Sequence, residues 1–150
     1  MVQYFTAEGL KKLKAELKEL KTTQMRRIVK LIAEAASFGD LKENAAYHEA
    51  RNSKSFLLGR IEQLENAINE AVIKEKSGDD KVQIGSKIAM MFDGKKESYE
   101  VVSPTEADIL KNRISYQSPF GQKLMGKKAG DGFEYQAGSK KVIVRVLEIT

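Results

Sequence analysis

Apolar residues in the first half of the chain fall at helical spacing. Leu10, Leu13, Leu17 and Leu20 recur at steps of three, four and three, and after a shift through Gln24 the stripe resumes at Ile28, Leu31 and Ala35. A second run, Tyr47, Ala50, Lys54, Leu57, Ile61, Leu64, Ile68 and Ala71, alternates three and four without a break. These are heptad seams. Two of them joined by a short glycine-containing segment predict an antiparallel coiled-coil helical hairpin. Thr6 suits the N-cap of the first arm. Arms of about 30 residues would each span roughly 45 Å at the α-helical rise. Lys54 is the charged residue on a seam, where its aliphatic stem can pack while the ammonium reaches water.

Beyond residue 77 the period shortens. Val82 to Phe92, the turn Asp93-Gly94-Lys95-Lys96 and Ser98 to Val102 read as a β-hairpin. Further strands are expected at 113–116, 132–136 and 141–149, with Met90 and Met91 filling the core. Pro119 to Lys127 has helical character, because proline suits a first helical position and Phe120, Leu124 and Met125 share a face. The expected architecture is α+β: an N-terminal hairpin over 1–76, a linker over 77–82, and a domain over 83–150. That domain would be an antiparallel β-sheet of four or five strands carrying one short helix. Ser77-Gly78-Asp79-Asp80 marks the boundary, and eight of the eleven glycines and both prolines lie from residue 77 onward.

Composition narrows the chemistry. The chain has no cysteine and a single histidine, His48, which removes disulfides, a thiolate nucleophile and cysteine zinc sites and leaves no His-based metal centre. His48 reads as a residue flanking the hairpin turn rather than a catalytic one. No apolar run approaches the ~18 residues of a membrane span, and Met1 to Leu20 lacks a signal-peptide core. The expectation is a cytoplasmic protein without a membrane partner. Of the 150 residues, 26 are Lys or Arg and 21 Asp or Glu, a net charge of +5. An excess this modest permits contact with nucleic acid without marking a dedicated duplex binder.

The turn between the arms, Ser37 to Tyr47, holds the most distinctive chemistry. Asp40 and Glu43 stand three residues apart at the end of a long projection. One reading is a capping box opening the second arm. The other is a pair of hard oxygen donors for Mg²⁺. Two carboxylates cannot hold that ion alone, since it takes six near-octahedral oxygens and keeps several waters. Such a tip could only complete a site whose other ligands belong to a partner.

Gly39-Asp40-Leu41-Lys42-Glu43-Asn44-Ala45-Ala46-Tyr47-His48 resembles the tip signature of the bacterial Gre transcript-cleavage factors. Ile114-Ser115-Tyr116-Gln117-Ser118-Pro119-Phe120-Gly121, followed by Leu124-Met125-Gly126-Lys127, resembles the second signature of that family. Thr6 to Leu10 and Glu106-Ala107-Asp108 fit as well, so the similarity runs through almost the whole chain. The resemblance implies a coiled-coil hairpin followed by an FKBP-like domain. It implies that the second domain docks on bacterial RNA polymerase, at the rim of the secondary channel, through Ser118, Pro119, Phe120 and Gly121. The hairpin would then enter the channel of a backtracked complex.

By the same resemblance, Asp40 and Glu43 are the catalytic pair, helping the polymerase hold its second, weakly bound Mg²⁺ and positioning the attacking water. In two-metal cleavage one ion supports the attacking oxygen and the other the leaving oxygen. Leu41, Asn44 and Tyr47 would shape the tip. Arg26, Arg27, Lys30 and Arg51 are candidates for contact with nascent RNA near its 3′ end. The chain itself would bind no cofactor, would be no nuclease alone, and would act as a monomer. Two positions depart from the family pattern: Ala36 replaces a frequent basic residue and Ala46 a frequent acidic one. The rival readings are a Gre-like paralogue that blocks the channel, a purely structural coiled coil, and a peptidyl-prolyl isomerase. The last needs an aromatic-lined pocket, and the Phe and Tyr residues are dispersed along the second half.

Overall fold

The computed structural model describes residues 1–150. Its helical part comprises α1 (Ala7–Glu19), a π-helical turn (Leu20–Gln24), α2 (Met25–Ala36) and α3 (Ala45–Asn69). Thr6 opens α1 as expected: its Oγ1 accepts the Gly9 N–H at 3.0 Å and its carbonyl accepts the Leu10 N–H at 3.0 Å. The π turn falls where the first seam shifts phase. A π turn inserts an extra residue into the helical repeat and so rotates everything that follows. The sheltered stripe therefore runs through Leu20, Gln24, Ile28, Ile32 and Ala35. Leu31, expected in the seam, is rotated out and half-exposed, and Ile32 takes its place.

The second arm follows its pattern closely. Ala50, Leu57, Ile61, Leu64 and Ala67 are buried along α3, and Lys54 is half-buried among them. Arg60 on α3 clamps Glu16 on α1 with both prongs of its guanidinium, Nε to Oε1 at 2.9 Å and NH2 to Oε2 at 3.2 Å. Lys21 pairs with Glu65 one step further along.

At the turn, one side chain joins the two arms. The Asn44 Oδ1 accepts the Tyr47 N–H at 3.1 Å, capping α3, while its Nδ2 donates to the Ala35 carbonyl at 2.7 Å in the last turn of α2. The amide serves both helix ends because it carries an acceptor and a donor on one planar group.

Contacts divide the chain into two compact units, Lys11–Asn69 and Met1–Leu10 together with Glu70–Thr150. The hairpin expected over 1–76 is thus shortened at both ends, because β1 (Gln3–Phe5) pairs in parallel with β2 (Ala71–Ile73). Strands of three residues show no alternation, and Ala71 continued the helical spacing, so neither was expected. Phe5 is fully buried, the Tyr4 N–H donates to the Tyr116 hydroxyl at 3.0 Å, and the Thr105 hydroxyl donates to Gln3 Oε1 at 2.7 Å. Val82, expected in the linker, is buried, and its N–H donates to the Lys127 carbonyl at 2.8 Å.

The larger sheet contains β3 (Lys87–Phe92), β4 (Lys95–Val102), β5 (Arg113–Ser115), β6 (Gly132–Ala137) and β7 (Lys140–Ile149) in the order β5-β4-β3-β7-β6. Asp93 and Gly94 both have positive φ, 50° and 80°, so they alone make a tight two-residue turn and β4 begins at Lys95. The sheet is mixed rather than antiparallel throughout: β5 runs parallel to β4. The connection between them, with short 3-10 turns at Pro104–Glu106 and Ile109–Lys111, brings the chain back only as far as Glu100, so β5 pairs with the last three residues of β4. Ile88, Met90, Val101, Ile114, Val142, Val144 and Val146 form the core beneath the short α4 (Pro119–Leu124), whose Leu124 is fully buried.

Gly121 in α4 lies against the chain before it. A Cβ there would sit 1.9 Å from the Ser115 carbonyl oxygen, so only glycine fits. Gly121→Ala is expected to destabilise the sheet unit by roughly 3 kcal/mol or more, the upper part of the range for overpacking. Urea unfolding followed by tyrosine near-UV circular dichroism measures it. Asn44→Ala is expected to cost about 1–2 kcal/mol through loss of the cap. Asn44→Asp should recover the cap but not the bond to Ala35, and thermal melts of the three proteins rank them.

Candidate functional site

The tip is a short hydrogen-bonded turn. The Phe38 N–H donates to the Ala35 carbonyl at 3.3 Å and the Gly39 N–H to the Ala36 carbonyl at 3.1 Å, closing α2. Gly39 then reverses the chain with φ of +99°, a conformation that favours glycine. The Asp40 Oδ1 accepts the Lys42 N–H at 3.0 Å. This is a local Asx turn, not a helix cap, because α3 begins at Ala45 and Asn44 already caps it. Glu43 does not reach back, and its carboxylate makes no hydrogen bond or ion pair. The capping-box spacing at Asp40 and Glu43 therefore does not form a capping box. The box has its physical match elsewhere, at Ser103 and buried Glu106.

Both tip carboxylates are exposed. Asp40 keeps Oδ2 unengaged and Glu43 keeps both oxygens, so the chain presents hard anionic donors to solvent. No cluster of three or more His, Cys, Asp or Glu groups stands anywhere in the structure. Carboxylate oxygens are the hard donors that Mg²⁺ takes, and two side chains supply too few of them to fill its six positions.

The flanking residues brace the turn. Asn44 and Tyr47 are half-buried, whereas Leu41 is 44 % exposed and packs little. The Arg51 guanidinium lies over the Tyr47 ring at 5.7 Å, so one face of this expected RNA-contacting residue is already occupied. The His48 Nε2 lies 3.0 Å from the Lys42 carbonyl, which can only accept, so that nitrogen carries the proton. His48 thereby ties α3 to the turn. Arg26 and Arg27 are exposed, and Lys30 makes only a loose, exposed contact with Glu34 at 3.9 Å.

The second signature forms a different site. Ser118 caps α4, its Oγ accepting the Gly121 N–H at 3.0 Å and donating to the Ser115 carbonyl at 2.7 Å. Pro119 takes the first helical position. Phe120 is the hub of an aromatic cluster, its centroid 4.8 Å from Tyr135, 5.7 Å from Phe92 and 6.0 Å from Tyr99. These residues, dispersed in sequence, come together in space, which removes the objection that the domain lacks an aromatic-lined pocket. The pocket, about 380 Å³, is walled by this cluster with Ile109 and Ile114, and Asp108 and Arg113 also line it. Gly121 is buried and serves packing, so of the four expected docking residues Ser118, Pro119 and Phe120 line the pocket, beside Ile114 and Ser115 of the same signature. Burial, and then the charge of Glu97, push the Tyr99 phenol above its usual value, so it stays a neutral hydroxyl.

Phe92, Tyr99, Tyr135, Ile109 and Arg113 were not singled out as site residues from the sequence, and Asp108 entered only within the segment Glu106-Ala107-Asp108. Only strand alternation pointed to the aromatics, and nothing local pointed to Ile109 and Arg113. Just outside the pocket mouth the apolar surface continues: Ile109 is 76 % and Leu110 92 % exposed.

Residues 3–73 match the family described as transcription elongation factor, N-terminal, and residues 76–150 match the one described as transcription elongation factor, GreA/GreB, C-terminal. Transcription elongation factor GreA of Rhodospirillum rubrum is 41 % identical over 141 residues, covering 90 % of each chain. Its counterpart in Acetivibrio thermocellus is 42 % identical over 149 residues, covering 96 % of this chain and 93 % of its own. Among solved structures, that of the transcription factor Gfh1 superposes with a TM-score of 0.50 at 27 % identity, covering 99 % of this chain and 97 % of the other. Matches to both family halves, with identity above two-fifths across nearly the full length, place the chain in the GreA/GreB family of transcription elongation factors.

Proposed function

We propose that this protein binds the secondary channel of RNA polymerase and stimulates the polymerase's own Mg²⁺-dependent cleavage of backtracked RNA, rescuing arrested complexes. The observation that carries the reading is the tip: Asn44 performs the capping, and the carboxylates of Asp40 and Glu43 are left facing solvent. A pair used as caps would be unavailable to a metal. Bound Mg²⁺ in the polymerase would supply Lewis-acid stabilisation of the attacking and leaving oxygens. Asp40 and Glu43 would lend ligands to the weaker site and orient the water. The Asx turn and the His48 bond to Lys42 hold the loop, so few degrees of freedom remain to be lost on docking.

The pocket beside Ser118, Pro119 and Phe120 would form the docking surface, continued by exposed Ile109 and Leu110. Apolar surface beside a concave aromatic site suits an anchoring side chain from a protein partner.

The test uses backtracked elongation complexes labelled at the RNA 3′ or 5′ end. Wild type is expected to release short 3′ fragments rapidly, while Asp40→Asn and Glu43→Gln bind polymerase yet cut at least about tenfold more slowly, ~1.4 kcal/mol of barrier. Raising Mg²⁺ should restore part of the lost rate, since a weakened site fills by mass action. Binding without fragments, accompanied by slowed nucleotide addition, would instead identify a channel-blocking paralogue. Ile109→Asp is expected to weaken polymerase binding by about tenfold or more, with the thermal melt unchanged because the residue is exposed. A competition titration against labelled wild type measures it.

A further inference from the structure

Phe38 has no role in the reading so far. It stands two residues before Asp40 and is 81 % exposed, a large apolar ring at the apex of a polar turn. Single exposed apolar residues are ordinary on protein surfaces. This one differs in how it is held. The Ser37 N–H donates to the Ala33 carbonyl at 3.1 Å and its hydroxyl to the Glu34 carbonyl at 2.6 Å, and the Phe38 and Gly39 N–H groups are also bonded to α2. The backbone on both sides of the ring is therefore pinned, and from it the ring extends into solvent. Phe38 also has no aromatic partner, whereas nearby Tyr47 is covered by His48 and Arg51.

We propose that Phe38 is a stacking platform for an unpaired nucleobase of the RNA end, holding the nucleotide beside the Asp40 and Glu43 carboxylates. The inference rests on the proposed cleavage function and names a further part of the substrate contact. Asp40, Lys42 and Glu43 are the charged, exposed groups of this turn and can engage the phosphate and its metal, whereas the neutral Phe38 ring can attract only a neutral part of a nucleotide. The base is that part. An aromatic ring open on its faces offers base stacking, which is tolerant of sequence because every base has a π-face. Asp40 is two residues from Phe38, at most about 7 Å along the chain, so the ring and that carboxylate belong to one short turn. A protein pocket would be served equally by a branched aliphatic side chain, and that difference makes the two partners separable.

The first experiment exploits the absence of tryptophan from the chain. Phe38→Trp gives the factor a single tryptophan at the tip, read as the difference from wild-type factor in backtracked elongation complexes whose extruded RNA either carries its bases or is abasic. Quenching with bases that is lost on abasic RNA is the expected result. Equal signals on both RNAs, or no change on either, overturn the proposal. The second experiment measures cleavage at subsaturating factor. Phe38→Ala and Phe38→Leu should require about tenfold more protein, while Phe38→Tyr and Phe38→Trp stay near wild type.

On abasic RNA the gap between wild type and Phe38→Leu should close. Phe38→Leu matching wild type on normal RNA would identify an apolar protein pocket and overturn stacking. Phe56→Leu is the control, because Phe56 is also 81 % exposed but lies in the middle of α3. If wild type releases no fragments, the cleavage reading fails, and the fluorescence comparison still decides whether the ring meets a base.

Discussion

The Asn44 carboxamide is the contact on which the tip depends. A helix start leaves backbone N–H groups without partners and a helix end leaves carbonyls, and both must be satisfied where two helices meet in a tight turn. Aspartate or serine could accept at the start of α3, but neither offers the pair of N–H donors of an amide. Asn44 accepts from Tyr47 and donates to Ala35, and so closes α2 and opens α3 with one rigid group. Everything between them is shaped by that closure. The intervening residues form a short loop in which Gly39 supplies the left-handed bend and Asp40 folds onto Lys42.

The chemistry follows from that division of labour. Because Asn44 caps the helix, Glu43 is not drawn back onto the backbone and Asp40 spends only one oxygen on its Asx turn. The anionic charge is left exposed on a turn that His48 ties to α3. Solvent screens charges of this kind, so they contribute little to the stability of the fold.

The sheet unit uses a different constraint. Gly121 lets α4 lie directly on the Ser115 carbonyl, and this close approach sets Phe120 among Phe92, Tyr99 and Tyr135. The rings wall a pocket instead of filling it, because α4 ends at Leu124, which anchors it in the core. The same unit takes in the first ten residues of the chain through the parallel β1–β2 pair, which is why the contact boundary departs from the change in composition near residue 77.

Much of the helical part was legible because its information is local. Heptad spacing named Ala50, Leu57, Ile61 and Leu64 of the α3 core but put Ile68 where Ala67 is the buried residue, Thr6 named the cap of α1, and the break at Gln24 marked the π turn without revealing which residues lay inward after it. Leu31 and Ile32 are equally apolar neighbours, and only the extra residue in the helical repeat decides between them. In the same way, the sequence showed that the turn held two carboxylates three residues apart, and it left capping and display open. Hydrogen bonds decided that, since Asn44 competes for the same N–H groups and lies next to the helix. The sheet order, the parallel β4–β5 pair, the β1–β2 strands and the aromatic pocket required the tertiary structure. Each depends on pairing between segments far apart in the chain, and spacing along a sequence carries no record of which distant backbone will supply the missing hydrogen bonds.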